Sequence, residues 1–113
     1  MNIESFRTYC LGKPHTHEDC PFGPETLVYR VKGKIFALTG LDNVEFKVNL
    51  KCDPEYAMEL RDQYDEIQAG YHMNKKHWNT VQFDSRLSDK LLKELIDHSY
   101  DLVKKSLPPK DRF

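Results

Sequence analysis

Residues 25–50 read ETLVYRVKGKIFALTGLDNVEFKVNL, and this run decides the fold class. Glu25 to Val31 is rich in β-branched and aromatic residues, which pack well on a pleated surface. Lys32-Gly33 is a two-residue hairpin turn leading into a second strand over Lys34–Thr39. Gly40 to Asn43 turns again. Val44, Phe46, Val48 and Leu50 then alternate with Glu45, Lys47 and Asn49. A period of two reads as a half-buried strand, one face inward and the other toward water. Three strands joined by short turns make an antiparallel meander.

Helices flank the meander. Asn2 is a suitable N-cap for a first helix with Ile3, Phe6, Tyr9 and Cys10 on one face, stopped by Gly12 and Pro14. His15 to Pro24 reads as a polar loop. Asp53-Pro54-Glu55 starts a second helix, with Asp as N-cap and Pro at the first helical position, and Ala57, Leu60 and Tyr64 mark its inner side. Ile67 to Met73 reads as a further strand, Asn74 to His77 as a turn, and Trp78 to Phe83 as another strand. Ser88 caps a last helix whose Leu91, Leu92, Leu95, Ile96, Ser99, Leu102 and Val103 form one stripe before Pro108-Pro109 ends it. The expected architecture is α+β, order αβββαββα: a single antiparallel twisted sheet with helices packed on one face.

A chain of 113 residues fits one domain, 1–113, long enough to bury a core without disulfides or metal. No apolar run approaches the roughly 18 residues of a transmembrane helix, and Met1 to Phe6 lacks the regions of a signal peptide. No membrane partner is expected, and the expected location is the cytoplasm. Cys10, Cys20 and Cys52 cannot all pair within one molecule and form no CxxC, so reduced thiols are expected. Net charge is −1, which does not advertise a nucleic-acid partner, but charge is uneven along the chain. Residues 29–52 carry Arg30, Lys32, Lys34, Lys47 and Lys51 against Asp42 and Glu45, whereas residues 53–66 carry six carboxylates against Arg61. Such asymmetry can orient a partner.

Three constellations are candidates for chemistry. His15, His17, Glu18, Asp19 and Cys20 are all zinc-ligand types, but Cys20 has no nearby second thiol, so a polar surface loop is the better reading and no metal is expected. Cys52 beside Asp53 at a helix start would have its pKa lowered by the dipole. A catalytic thiolate also needs a positioned base, which His72 or His77 could supply only if the fold brought them close. No nucleophile elbow or phosphate loop is present, and neither catalysis nor a cofactor is expected. The third constellation is Tyr71-His72-Met73-Asn74-Lys75-Lys76-His77-Trp78-Asn79-Thr80-Val81, which holds the only tryptophan. Lys75 and Lys76 could neutralise phosphates, and Trp78 or Tyr71 could stack on a base. In a purely structural role Trp78 is core and Asn74 fixes the turn.

The same segment resembles the signature of the MmcQ/YjbR family of small bacterial proteins. Pro21-Phe22-Gly23, the run Val31 to Leu38, Leu50-Lys51-Cys52-Asp53-Pro54, and Ser99-Tyr100-Asp101-Leu102-Val103 with Leu107-Pro108 match too, in the family's order and over nearly the whole chain. One departure is His15, His17 and Cys20, which lie where members carry a variable, metal-free loop. The resemblance implies a CyaY-like fold with a double-wing arrangement and non-enzymatic DNA binding. Mapped here, one wing is the hairpin around Gly40 to Asn43 and the other the turn around Asn74 to His77, the two straddling the duplex or touching its backbone. Lys32, Lys34, Lys47, Lys51, Lys75 and Lys76, with His72, Asn74 and His77, are the expected contacts, giving salt-sensitive binding. The alternative is a module that binds an acidic protein or a small ligand on the Tyr71 to Trp78 surface.

Overall fold

The computed structural model describes all of residues 1–113. Helix α1 (Ile3–Leu11) leads into β1 (Thr16–Asp19), β2 (Thr26–Val31), β3 (Lys34–Gly40) and β4 (Lys47–Lys51). Helix α2 (Pro54–Gln63), β5 (Ile67–Ala69), β6 (Trp78–Gln82) and α3 (Asp89–Lys105) follow, and a 3-10 turn spans Pro109–Asp111. The strands form one sheet in the order β1-β2-β3-β4-β6-β5, every pair antiparallel. Phe6 and Cys10 of α1, Ala57 and Leu60 of α2, and Leu92, Leu95, Ile96, Tyr100 and Val103 of α3 pack with Tyr29, Ala37, Val48, Leu50, Ile67 and Val81 of the sheet in one buried cluster. Phe6 is its hub, meeting Tyr29, Phe83 and Phe46 edge to face at centroid distances of 5.2, 5.4 and 5.6 Å, the geometry aromatic rings prefer. This is the α+β fold expected, with the three N-caps as read. Asn2 accepts from the Ser5 amide at 2.8 Å, Asp53 from Tyr56 at 3.2 Å and Ser88 from Leu91 at 3.1 Å.

The order is αββββαββα, one strand more than expected. The extra strand, β1, lies inside the segment read as the loop His15–Pro24. Its His17 and Asp19 face Arg30 and Val28 across the ladder, and ion pairs Arg7–Glu18 and Arg30–Asp19 hold it down. Edge strands are commonly charged, which blocks stray pairing and also hides them from an apolar-alternation reading.

Two other strands are shorter than expected. β4 begins at Lys47 rather than Val44, because residues 41–46 form a projecting loop. Phe46 turns inward, its carbonyl accepting the Phe83 amide at 2.8 Å, whereas Val44 is 102 % exposed. The alternation there marks a loop with one inward anchor. β5 ends at Ala69 because Gly70 passes directly over Trp78. A Cβ on Gly70 would lie 2.8 Å from the Trp78 Cβ, so only glycine allows the approach.

Between β3 and β4 the ladder stops at Ala37↔Leu50. The next two backbone groups go to α3. Ser99 Oγ donates to the Phe36 carbonyl at 2.5 Å and accepts the Lys51 amide at 2.9 Å. Ser99 is fully buried, and its hydroxyl is inserted into the one ladder bond that would join the Lys51 amide to the Phe36 carbonyl. Ser99→Ala orphans both buried groups and is expected to cost about 1–3 kcal/mol, measured by urea unfolding of the two proteins.

Candidate nucleic-acid interface

The strand register sorts the charged residues into two ends of the sheet. Val31 pairs with Lys34, Ala37 with Leu50, and Lys51 with Trp78. One end therefore gathers the β2–β3 turn at Lys32-Gly33, Lys51 at the close of β4, and the turn Asn74–His77 that leads into β6. The C-terminal turn of α3 lies at the same end, since Lys34 Nζ donates to the Ser106 carbonyl at 3.1 Å. The other end carries the 41–46 loop, with Lys47 beside Gln82. Of the nine residues singled out from sequence, Lys32, Lys34, Lys51, His72, Asn74, Lys75, Lys76 and His77 are brought together at the first end. Lys47 is not. It sits at the opposite end, 3.8 Å from Glu45.

Positive charge at the first end is not neutralised. Lys32, Lys34, Lys51, Lys75, Lys76, Lys104, Lys105, Lys110 and Arg112 form no ion pair, whereas Arg7, Lys13, Arg30, Lys47 and Arg86 each have a carboxylate partner. The Lys32 and Lys104 ammonium groups stand over the Phe113 ring at 5.9 and 4.4 Å. Lys51 and Lys76 are without a side-chain partner.

The 70–78 segment is held from beneath. Asn74 Oδ1 accepts the amides of Lys76 and His77 at 2.9 and 3.3 Å, and its carbonyl accepts Trp78 N at 3.0 Å. Arg61 reaches up from α2. Its Nε donates to Asn79 Oδ1 at 2.6 Å, and its Nη2 donates to the carbonyls of Lys75 and Trp78. Asn79 is buried and donates to the Ala57 carbonyl at 3.4 Å. Lys75 folds back, its Nζ donating to the Gly70 carbonyl at 2.9 Å. Asn74, Asn79 and half-buried Trp78 thus build the turn, while Lys76 stays exposed. His72 is exposed on a left-handed backbone (φ 59°), its ring 4.0 Å from that of Tyr71. The other non-glycine residues with positive φ, His15 (60°) and Lys32 (49°), are at the same end, joined by the Lys32 amide donating to the His15 carbonyl at 3.1 Å.

The family model described as YjbR matches residues 11–102. The chain belongs to the YjbR family. It is similar to the uncharacterized protein YbdF of Escherichia coli O157:H7, 40% identical over 110 residues, covering 96% of this chain and 89% of that protein. The uncharacterized protein YjbR of Escherichia coli K12 is 31% identical over 112 residues, covering 99% of this chain and 95% of that one. Among solved structures, Deinococcus radiodurans DR2400, a DUF419 domain, superposes with a TM-score of 0.91 at 40% identity, covering 97% of this chain and 84% of that one. A Pseudomonas syringae protein superposes with a TM-score of 0.78 at 32% identity, covering 90% and 98%.

In this YjbR-family chain the Cys52 thiol is not activated. Burial pushes its pKa up to about 12, with Asp53 adding to the rise, so desolvation outweighs the helix dipole expected to lower it. Neither His72 nor His77 serves it as a base, and the link to His77 is backbone only, Cys52 N to the His77 carbonyl at 2.8 Å. Along β1, alternation sends neighbouring donors to opposite faces, and no three His, Cys, Asp or Glu side chains converge.

Sequence reasoning missed Arg61, whose signal was its isolation as the one cation in an acidic helix. It also missed His98, whose Nε2 accepts the Asp53 amide at 3.1 Å. No residue type announces such a contact between elements 45 positions apart.

Two outcomes are expected. Arg61→Met removes charge-assisted bonds to three acceptors, and a loss of about 2–3 kcal/mol follows, with amide exchange at residues 75–79 accelerating first. His98 must be neutral to accept the Asp53 N–H, and burial holds its pKa below the ordinary 6.5. Its contribution to stability is therefore full above 6.5. It declines as pH falls, because the unfolded chain takes up a proton that the folded one refuses, and it levels off below the lowered folded-state value. His98→Gln, whose carbonyl can still accept, flattens this part of a denaturation series from pH 8 to pH 5.

Proposed function

We propose that this YjbR-family protein binds DNA without catalysing a reaction, through phosphate contacts at the basic end of its sheet. The observation that carries this reading is the set of nine cations without a carboxylate partner at one end of the strands. Ammonium groups left unneutralised by the protein are the ones that displace counterions from a duplex. Lys32 and Lys34 on the β2–β3 turn, Lys51 on β4, and Lys76 on the 74–77 turn contact the backbone. Tyr71 and His72 offer stacked rings beside them.

The wing at Gly40–Asn43 takes no part in phosphate contact. It stands at the other end of the sheet among Asp42, Glu45, Asp65 and Glu66, which repel phosphate. The duplex thus lies across one end of the sheet, and the two wings do not straddle it. The protonated, buried Cys52 supports a binding role over nucleophilic chemistry.

Fluorescence anisotropy of a labelled duplex across a salt series tests the reading. Log affinity is expected to fall linearly with log salt, and Lys51→Ala and Lys76→Ala should each reduce the slope by about one. Lys47→Ala should leave it unchanged. Binding no tighter than to an unrelated acidic protein, or equal effects of Lys47 and Lys76, would overturn the proposal.

A further inference from the structure

The helices cover one face of the sheet. The other face is an open groove of about 760 Å³. Leu38, Asn49, Gln68, Thr80 and Gln82 form its floor, with the 42–47 loop along one side and Tyr71–Met73 along the other. Asn49 and Thr80 are occupied in fixing the rim: Thr80 Oγ1 donates to Asn49 Oδ1 at 2.5 Å and accepts the Tyr71 amide at 2.9 Å, and Asn49 Nδ2 donates to the Tyr71 carbonyl at 3.2 Å. The side-chain amide of Gln82 is without a partner.

Two properties of the rim say what would cover this face. First, it is apolar at its edges. Phe22, Val44 and Tyr71 are 67, 102 and 68 % exposed, and a gathering of exposed apolar side chains at a groove marks an interaction site. Val44 lines the groove and is wholly exposed, so an occupant lying along this rim meets an apolar side chain there. Second, the lining is acidic. Asp42, Glu45, Asp65 and Glu66 face a single cation, Lys47, already beside Glu45. Arg86 neutralises Glu66, which leaves Asp42 and Asp65 without a positive partner. These carboxylates disfavour a nucleic acid, and they disfavour a second copy of the same face.

We propose that the open sheet face docks a basic amphipathic helix of a partner polypeptide, its apolar stripe against Leu38, Val44 and Tyr71 and its Lys or Arg side chains against Asp42, Glu45 and Asp65. A helix of about 18 residues is roughly 27 Å long, comparable with the 32 and 26 Å shorter dimensions of the molecule. Laying an apolar helical stripe in such a groove is an established mode of peptide recognition. This surface meets the basic end at Tyr71 and His72, so its test rests on Asp42 and Val44, which take no part in DNA binding.

The test uses three labelled peptides of that length and the full chain: a Leu/Lys sequence with helical apolar periodicity, the same pattern with Glu for Lys, and oligolysine. The Leu/Lys peptide is expected to bind at least about tenfold tighter than either control. Its amide chemical-shift changes should fall on residues 38–49, 68–73 and 80–82. Val44→Ser and Asp42→Asn should each weaken it several-fold while leaving duplex affinity unchanged, and because both side chains are exposed neither change threatens the fold. Equal binding of the Leu/Glu peptide would overturn the charge argument, and equal binding of oligolysine the apolar one. Shifts on the helices or on Lys32, Lys51 and Lys76 instead, or an affinity indifferent to both substitutions, would overturn the site itself.

Discussion

The Ser99 hydroxyl sets the geometry on which much of this molecule depends. A buried carbonyl and a buried amide must each find a partner, and where the β3–β4 ladder stops they find it on α3 rather than on each other. The helix is thereby fixed against the centre of the sheet, and its C-terminal turn arrives beside Lys34. At this end Lys34 opens β3 and Lys51 closes β4, and the Ser99 bridge lies between them at Phe36 and Lys51. One hydroxyl therefore ties the longest helix to two strands beside the charged end.

Arg61 plays the matching role for the 70–78 segment. The turn has no hydrophobic anchor of its own at Asn74 to His77, and its shape comes from polar groups that satisfy one another. Asn74 closes the turn locally, and Arg61 ties it to α2 through Asn79 and two carbonyls. Lys76 is then left over, exposed on a rigid support.

Most of the architecture was legible because it is written in local patterns. The Val28 to Leu38 hairpin, the capped starts at Asn2, Asp53 and Ser88, and the stripe of α3 each carry their own signal. β1 was not legible, since Thr16-His17-Glu18-Asp19 is charged where an edge strand must be and its stability comes from Arg7 and Arg30 elsewhere in the chain. The length of β4 was misread because alternation cannot distinguish a ladder from a loop with one inward aromatic. The residue types of the candidate site were visible, but not the division of charge along the strands. Lys47 belongs with the other lysines in any reading of the sequence, and only the register of β4 against β6 separates it from them.

The three left-handed residues at the basic end have a further consequence. His15, Lys32 and His72 hold positive φ without being glycine, a conformation that costs an L-residue about 1–2 kcal/mol. Glycine at any of the three would relax the backbone and raise stability while deleting an imidazole or an ammonium group. A chain selected for endurance alone would carry glycine at these corners. This one keeps reactive-looking side chains on uncomfortable backbone, a compromise between stability and surface chemistry confined to the end of the sheet where the charge is unpaired.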